Sequence, residues 1–395
     1  MKFFKLFLYI NSIVLLTSCS AKNPEREELP VISQNIFIDL DKKHREDKQA
    51  WLDEVFSRLH KRHGFIGTVA YSEHGEILYE KAFGHEDLRR KTPFTLNSSF
   101  QLASVSKMFT ATAIMILKQE GKLDYEDDVR KFLPDFPYEG ITIRMLLTHR
   151  SGLPRYMSLA HDEWKLKSKP LTNEAMYDLF KEHKPTTYGK PDEYFHYCNT
   201  NYAFLANIVE VVSGQPFNSF MQQFIFEPLE MNDSFVYHMN NDETVSAYIS
   251  EGVPGYRYKG WRPYRQRNEY LNGVMGDKGV YSSVADMMKF DQALYNGTLV
   301  NDTILREAFV KGSPKYNRRK DNYGFGWRIR RNQDSTVYHY GWWKGFRAFY
   351  IRDMKQGKTI VMLSNREKGP GSTTLWNVIN NKNYPIGKFS VLEEN

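Results

Sequence analysis

Residues 104–120 form a long apolar-periodic run, with Met108, Ala111, Ile114, Met115 and Leu117 at helical spacing. A helix that is apolar on nearly every side has to be buried, so this segment predicts a central helix around which other elements pack. Gly121 closes it. Its first turn carries Ser104 and, three residues on, Lys107. Side chains three apart on a helix share a face, with Cβ atoms roughly 5–6 Å apart, so hydroxyl and amine can meet. A serine hydroxyl is a poor nucleophile until a base takes its proton. A lysine can be that base when burial or nearby cations lower its pKa. The start of a helix adds backbone N–H groups and a positive dipole end, both suited to a developing oxyanion. Alone, Ser-x-x-Lys fits a capped helix with an exposed lysine at least as well.

The chain around it has 395 residues and can bury a large core. Its net charge of +7 fits either a solvated basic surface or attraction to an anionic partner such as a membrane face. The basic residues are dispersed and form no nucleic-acid motif, so no nucleic-acid partner is expected.

The N-terminus reads as a targeting segment. Lys2 and Lys5 precede a mostly apolar stretch over 3–16, too short to span a bilayer comfortably. Leu16-Thr17-Ser18-Cys19 then resembles a bacterial lipobox, which implies cleavage after residue 18 and lipidation of Cys19. An ordinary signal peptide or a short anchor with a chance cysteine are the alternatives. Residues 19–42 read as a tether. The expected location is the cell envelope, outside the cytoplasm, lipid-anchored at Cys19. With Cys19 lipidated, Cys198 has no partner, so no disulfide and no cysteine-rich zinc site is expected.

Periodicity predicts a helix over 43–63, then strands over 65–71 and 77–83 around the turn residues 73–76. Helices are predicted over 141–149, 174–183, 200–213 and 217–226. A basic, aromatic segment follows, with Tyr256, Arg257, Trp261, Arg262 and Arg265; it suits a surface loop, a cleft wall or an anionic contact. A helix over 284–295, strands over 323–330, 335–340, 346–352 and 359–364, and a closing helix over 374–379 complete the reading. Strands at both ends around a helical middle predict a mixed α/β (α+β) domain over 43–390. Its mixed part covers 43–125 and 272–390, and a helical insert covers 126–271.

Two later motifs bear on Ser104. Tyr197-Cys198-Asn199 precedes a helix, and His339-Tyr340-Gly341 sits on a late strand. Singly they read as a packed aromatic, a helix cap and a strand histidine. In this order and spacing they resemble the serine β-lactamase-related family, on the branch of class C β-lactamases, esterases and penicillin-binding proteins. The segments 146–154, 195–202, 228–231, 279–283 and 323–327 are similar to that family too, so the resemblance covers about 48–380.

The resemblance implies an antiparallel sheet flanked by helices plus an all-helical insert, and no metal or organic cofactor. It implies that Ser104 is acylated and that Lys107 lowers the proton-transfer barrier. Tyr197 becomes the general base for acylation and the activator of water for deacylation. Asn199 positions Lys107 and a substrate amide. Backbone N–H groups of Ser104 and of Trp342, which follows Gly341 on the strand of His339, form the oxyanion hole. A phenol ionises near 10 in water, so Tyr197 needs a cation such as Lys107 beside it.

The family's β-lactamases carry Lys-Thr-Gly where this chain has His339-Tyr340-Gly341, which weakens the case for binding a substrate carboxylate there. Lys344 or Arg347 are the candidates to supply the missing cation, and Trp342 and Trp343 to narrow the cleft. Cys198 is expected to point away from the site. These readings predict a lipid-anchored serine hydrolase acting on a small-molecule or peptide ester or amide, rather than an efficient β-lactamase. A true β-lactamase or cell-wall DD-carboxypeptidase is the rival within the class. A non-catalytic envelope protein that binds peptidoglycan is the rival outside it.

Overall fold

The computed structural model describes residues 39–313 and 321–384. The leader, Cys19 and most of the tether lie outside those residues. The first helix, α1 (Lys42–His63), starts where Asp41 accepts a hydrogen bond from the His44 N–H at 2.9 Å. Four basic residues fill its last turn, and Gly64 ends it in the left-handed region.

Strands β1 (Gly67–Glu73) and β2 (Glu76–Phe83) form a hairpin. From the C-terminal third come β3 (Asn322–Tyr323), β4 (Arg328–Ile329), β5 (Thr336–Trp343), β6 (Phe346–Asp353) and β7 (Lys358–Ser364). They join in one antiparallel sheet of order β3-β4-β5-β6-β7-β1-β2, so the two ends of the chain meet at the β7–β1 pair, with Thr68 opposite Leu363.

Alternation along the strands divides the core. Val69, Tyr71, Tyr338, Phe349 and Ile360 face α1 and the closing helix α5 (Thr373–Ile379). Ala70, Val337, Ala348, Tyr350 and Val361 face the other way. There they meet α2 (Ser106–Gln119) and α4 (Val284–Asn296), and beyond these α3 (Asn199–Ser213). Every residue of α2 from Ser106 to Leu117 is buried, as its all-round apolarity requires.

The span 126–271 is packed from helices: Ile143–Leu147, Tyr156–Glu163, Asn173–His183, α3, and Phe217–Met221 running into a π turn over Gln222–Phe226. Periodicity did not indicate Tyr156–Glu163, which is only two turns long. The same span holds the strand Phe235–Val236 and a hairpin, Tyr256–Lys259 with Arg262–Arg265, so β structure lines the edge of this helical unit. That hairpin is the basic, aromatic segment, and Trp261 at its turn is 80% exposed.

The predicted strand over 323–330 is two short strands. Gly326, at φ +81°, turns the chain between them, and a Cβ there would lie 2.9 Å from the Lys107 carbonyl oxygen. The break lets this loop pack directly on α2.

Candidate active site

Ser104 does not lie in the α-helix itself. It sits in a one-turn 3-10 segment, Ala103–Val105, and α2 begins at Ser106. Ala103 holds φ +50°, a left-handed conformation that costs a non-glycine residue on the order of 1 kcal/mol. The turn is clamped from both sides by the strand Val280–Ser282. The Leu102 N–H donates to the Val280 carbonyl at 2.9 Å, and the Val280 N–H donates to Ser106 Oγ at 3.2 Å. Ser104 is left half-buried at the surface of this turn.

Lys107 is fully buried, and its amine has three oxygen neighbours. It donates to Asn199 Oδ1 at 2.9 Å and to the Asp277 carbonyl oxygen at 2.8 Å, and it lies 3.3 Å from Ser104 Oγ. A carbonyl and an amide oxygen can only accept, so they fix two N–H bonds of the amine. The remaining tetrahedral position faces the Ser104 hydroxyl.

The segment that brings the Asp277 carbonyl is bound residue by residue to the helix Asn173–His183 and to α2. Asn173 Oδ1 accepts from the Met275 N–H at 2.7 Å, and Thr110 Oγ1 donates to the Gly276 carbonyl at 2.7 Å.

Asn199 is the first residue of α3, which is why its side chain projects from a helix end toward Lys107. Cys198 is buried beside the Pro154 carbonyl, with Sγ 3.7 Å away, and burial pushes its thiol up. The half-buried Tyr197 ring lies 5.2 Å from Lys107 Nζ and 4.4 Å from the His149 ring. Its hydroxyl has no hydrogen-bond partner among the described residues.

His149 is buried, and its Nδ1 accepts from the Cys198 N–H at 3.2 Å and from Asn201 Nδ2 at 3.0 Å. Desolvation, then the charge of Lys107, holds this imidazole well below the usual histidine range, so it is neutral with its proton on Nε2.

On β5, His339 is buried too. Its Nδ1 donates to the Tyr340 carbonyl at 2.8 Å, so Nε2 accepts from the Tyr323 hydroxyl at 3.0 Å. Desolvation, followed by Arg328 and Lys107, drives its pKa well down. A neutral, doubly bonded imidazole does not replace the lysine that the family's β-lactamases carry at this position.

Gly341 explains the third residue of that motif. A Cβ there would stand 2.1 Å from the Leu102 carbonyl oxygen, so only glycine lets β5 close onto the Ser104 turn. β5 is thereby held against Leu102 and Ala103, the residues that lead into Ser104.

The two indoles divide between the faces of the sheet. Trp343 shares the face of His339 and Gly341, and its Nε1 donates to Asn272 Oδ1 at 2.9 Å. Trp342 pairs across β6 with Arg347 on the opposite face and is 54% exposed, so its side chain does not narrow the cleft.

Neither expected cation is free. Lys344 is paired with Glu269, and Arg347 donates to the Gly369 carbonyl at 2.7 Å. Sequence reasoning passed over Arg328. Its guanidinium lies 5.2 Å from the Tyr197 ring and has no ion-pair partner among the described residues. No local signal marks it, since it reaches the site only through the pairing of β4 with β5. Asp277 was missed for a similar reason: its backbone, not its side chain, touches Lys107.

A family model described as Beta-lactamase matches residues 52–381. Penicillin-binding protein 4* of Bacillus subtilis is 36% identical over 334 residues, covering 82% of this chain and 73% of that protein. Among solved structures, a penicillin-binding protein from Bacillus halodurans superposes with a TM-score of 0.71, at 24% identity, over 83% of this chain and 98% of the other. A D-amino acid amidase from Ochrobactrum anthropi superposes with a TM-score of 0.64, at 25% identity, over 82% and 91%. The matched span contains the Ser104 turn, Lys107, Tyr197, Asn199 and the His339–Gly341 strand, and the chain belongs to the beta-lactamase family of serine hydrolases.

Proposed function

We propose that this hydrolase cleaves an ester or amide bond through an acyl-enzyme on Ser104, with D-amino-acid esters, amides or peptides preferred over β-lactams. The observation that carries this reading is the Lys107 amine, held by Asn199 and Asp277 with its free position toward Ser104. With Lys107 neutral, that position is a lone pair. The Ser104 oxygen attacks the carbonyl carbon while its proton passes to Lys107, directly or through the Tyr197 hydroxyl. The oxyanion faces the backbone N–H groups of Ser104 and Trp342. The leaving group takes the proton and departs, and water, deprotonated by Tyr197 with Lys107, releases the acyl group. Neutral His339 argues against a β-lactam carboxylate being held as in Lys-Thr-Gly enzymes, and the likeness to a D-amino acid amidase supports the preferred substrate class.

A second reading is a peptidase whose substrate carries a free C-terminal carboxylate. The unpaired Arg328 guanidinium beside Tyr197 favours it. Anchoring outside the cytoplasm through Cys19 belongs to the same proposal and rests on the leader sequence alone.

The test is labelling with a fluorophosphonate and with a fluorescent penicillin, followed by mass mapping. A panel of aryl esters, D-aminoacyl amides and a chromogenic cephalosporin is assayed beside it. Label on Ser104 and turnover of the ester or D-amide lost in Ser104→Ala is expected. No label and no turnover, unchanged by Ser104→Ala, overturns the reading.

A further inference from the structure

Behind Lys107 lies a second buried lysine that the chemistry above does not use. Lys278 is 3% exposed and is held by three oxygens: Tyr156 Oη at 2.7 Å, the Val274 carbonyl at 3.1 Å and Asp277 Oδ1 at 3.2 Å. The Tyr156 hydroxyl in turn donates to Asp277 Oδ2 at 3.1 Å. Asp277 and Tyr156 are buried as well, each about 1% exposed. Asp277 therefore faces both lysines, its carbonyl bound to Lys107 and its carboxylate to Lys278. Lys278 Nζ also stands 5.2 Å from the Trp343 ring, on the strand that closes over Ser104.

We propose that Lys278 is a positioning residue for the Ser104–Lys107 pair, which fixes the Asp277 carbonyl in place and cancels the charge of the carboxylate on that same buried residue. The proposal rests on the reading of Ser104 as nucleophile and Lys107 as its proton acceptor.

A buried carboxylate next to an amine favours the ammonium form, and an ammonium cannot accept the Ser104 proton. Lys278 removes that bias. Burial lowers the pKa of Lys278 itself, and Lys107 adds to the same direction, while Asp277 opposes it. Glu269, itself paired with Lys344, also opposes the lowering of Lys278. Around Lys107, the charges of Lys107 and Arg328 both act on the neutral rings of His149 and His339. Tyr197 and Tyr202 present ring faces to its amine at 5.2 and 5.7 Å. The variants below change none of these groups.

The test is the pH dependence of Ser104 labelling by a fluorophosphonate in the full chain. Asp277→Asn removes the anion and leaves the cation, so the acidic limb moves down. Lys278→Met leaves the anion uncancelled, so the limb moves up, by about one pH unit in each case. Lys278→Arg keeps the charge and stays near wild type. The double variant Asp277→Asn/Lys278→Met carries neither charge and returns the limb toward wild type. It also gives a result should Lys278→Met alone not fold.

Opposite shifts are the signature that a purely structural role would not produce. Limbs that stay in place, or that move the same way in both single variants, overturn the proposal. Wild-type protein that takes no label on Ser104 overturns the nucleophile assignment on which it rests.

Discussion

The Lys107 amine and the Asp277 carbonyl oxygen, 170 residues apart in sequence, are joined by a 2.8 Å hydrogen bond in the buried interior. Together with Asn199 this bond leaves Lys107 one free direction, toward Ser104. Asn199→Leu keeps the side chain near its native size and removes the acceptor. It is expected to lower kcat/KM for an activated ester by about 10²-fold with little change in Tm, and Lys107→Ala by about 10³-fold or more. Steady-state kinetics beside a thermal melt check both; near-wild-type turnover in Asn199→Leu would contradict the positioning role.

Arg328 lies beside the Tyr197 ring and has no ion-pair partner among the described residues. Arg328→Gln is expected to reduce kcat/KM by about 10–100-fold for a D-amino-acid peptide with a free carboxylate, the range for losing a charged hydrogen bond. The amidated peptide should lose less than about threefold. Equal losses on both peptides would assign Arg328 to structure instead.

The two adjacent indoles should behave differently. Trp343→Ala removes the side chain on the Ser104 face and the hydrogen bond to Asn272, so KM for bulky substrates is expected to change by about tenfold. Trp342→Ala should leave kinetics within about threefold, because only its backbone faces the site. Matching effects would mean that the strand alternation does not describe the cleft.

Stability should fall on mild acidification. His149 and His339 are buried and neutral, and burial, the largest cause for each, holds their pKa well below 6.5. Between those depressed values and 6.5 the unfolded chain binds more protons than the folded one. The unfolding free energy then drops as pH falls, by up to about 1.4 kcal/mol per pH unit for each group. Urea melts from pH 7 to pH 5 should show this slope, and His339→Gln should roughly halve it. A flat profile would mean that these rings take up protons in the fold as readily as in the unfolded chain.

Anchoring is checked in cells. Cys19→Ser is expected to release the protein from the membrane fraction, and unchanged retention would count against lipidation.

Much of the site was legible in the chain itself. Ser104, Lys107, Tyr197, Asn199 and Gly341 sit in short motifs whose order is characteristic. Gly341 was read as the end of the His-x-Gly motif, and the structure adds its reason, the close approach of β5 to Leu102. The buried nature of α2 followed from its all-round apolarity. The α/β order followed from the change of period along the chain.

What the sequence alone determined was therefore local: which segments are helix or strand, which short motifs the chain carries, and which family order they share. Tertiary structure decided the electrostatics. Whether His339 is a cation or a neutral ring depends on its desolvation, not on its neighbours in sequence. That Lys344 is spent on Glu269 while Arg328 is left open depends on contacts between segments far apart in the chain. The division of Trp342 and Trp343 depends on which face β5 turns toward the nucleophile turn, and the role of Asp277 on a backbone carbonyl. Backbone groups and burial have no residue code, so only the packed chain could show them.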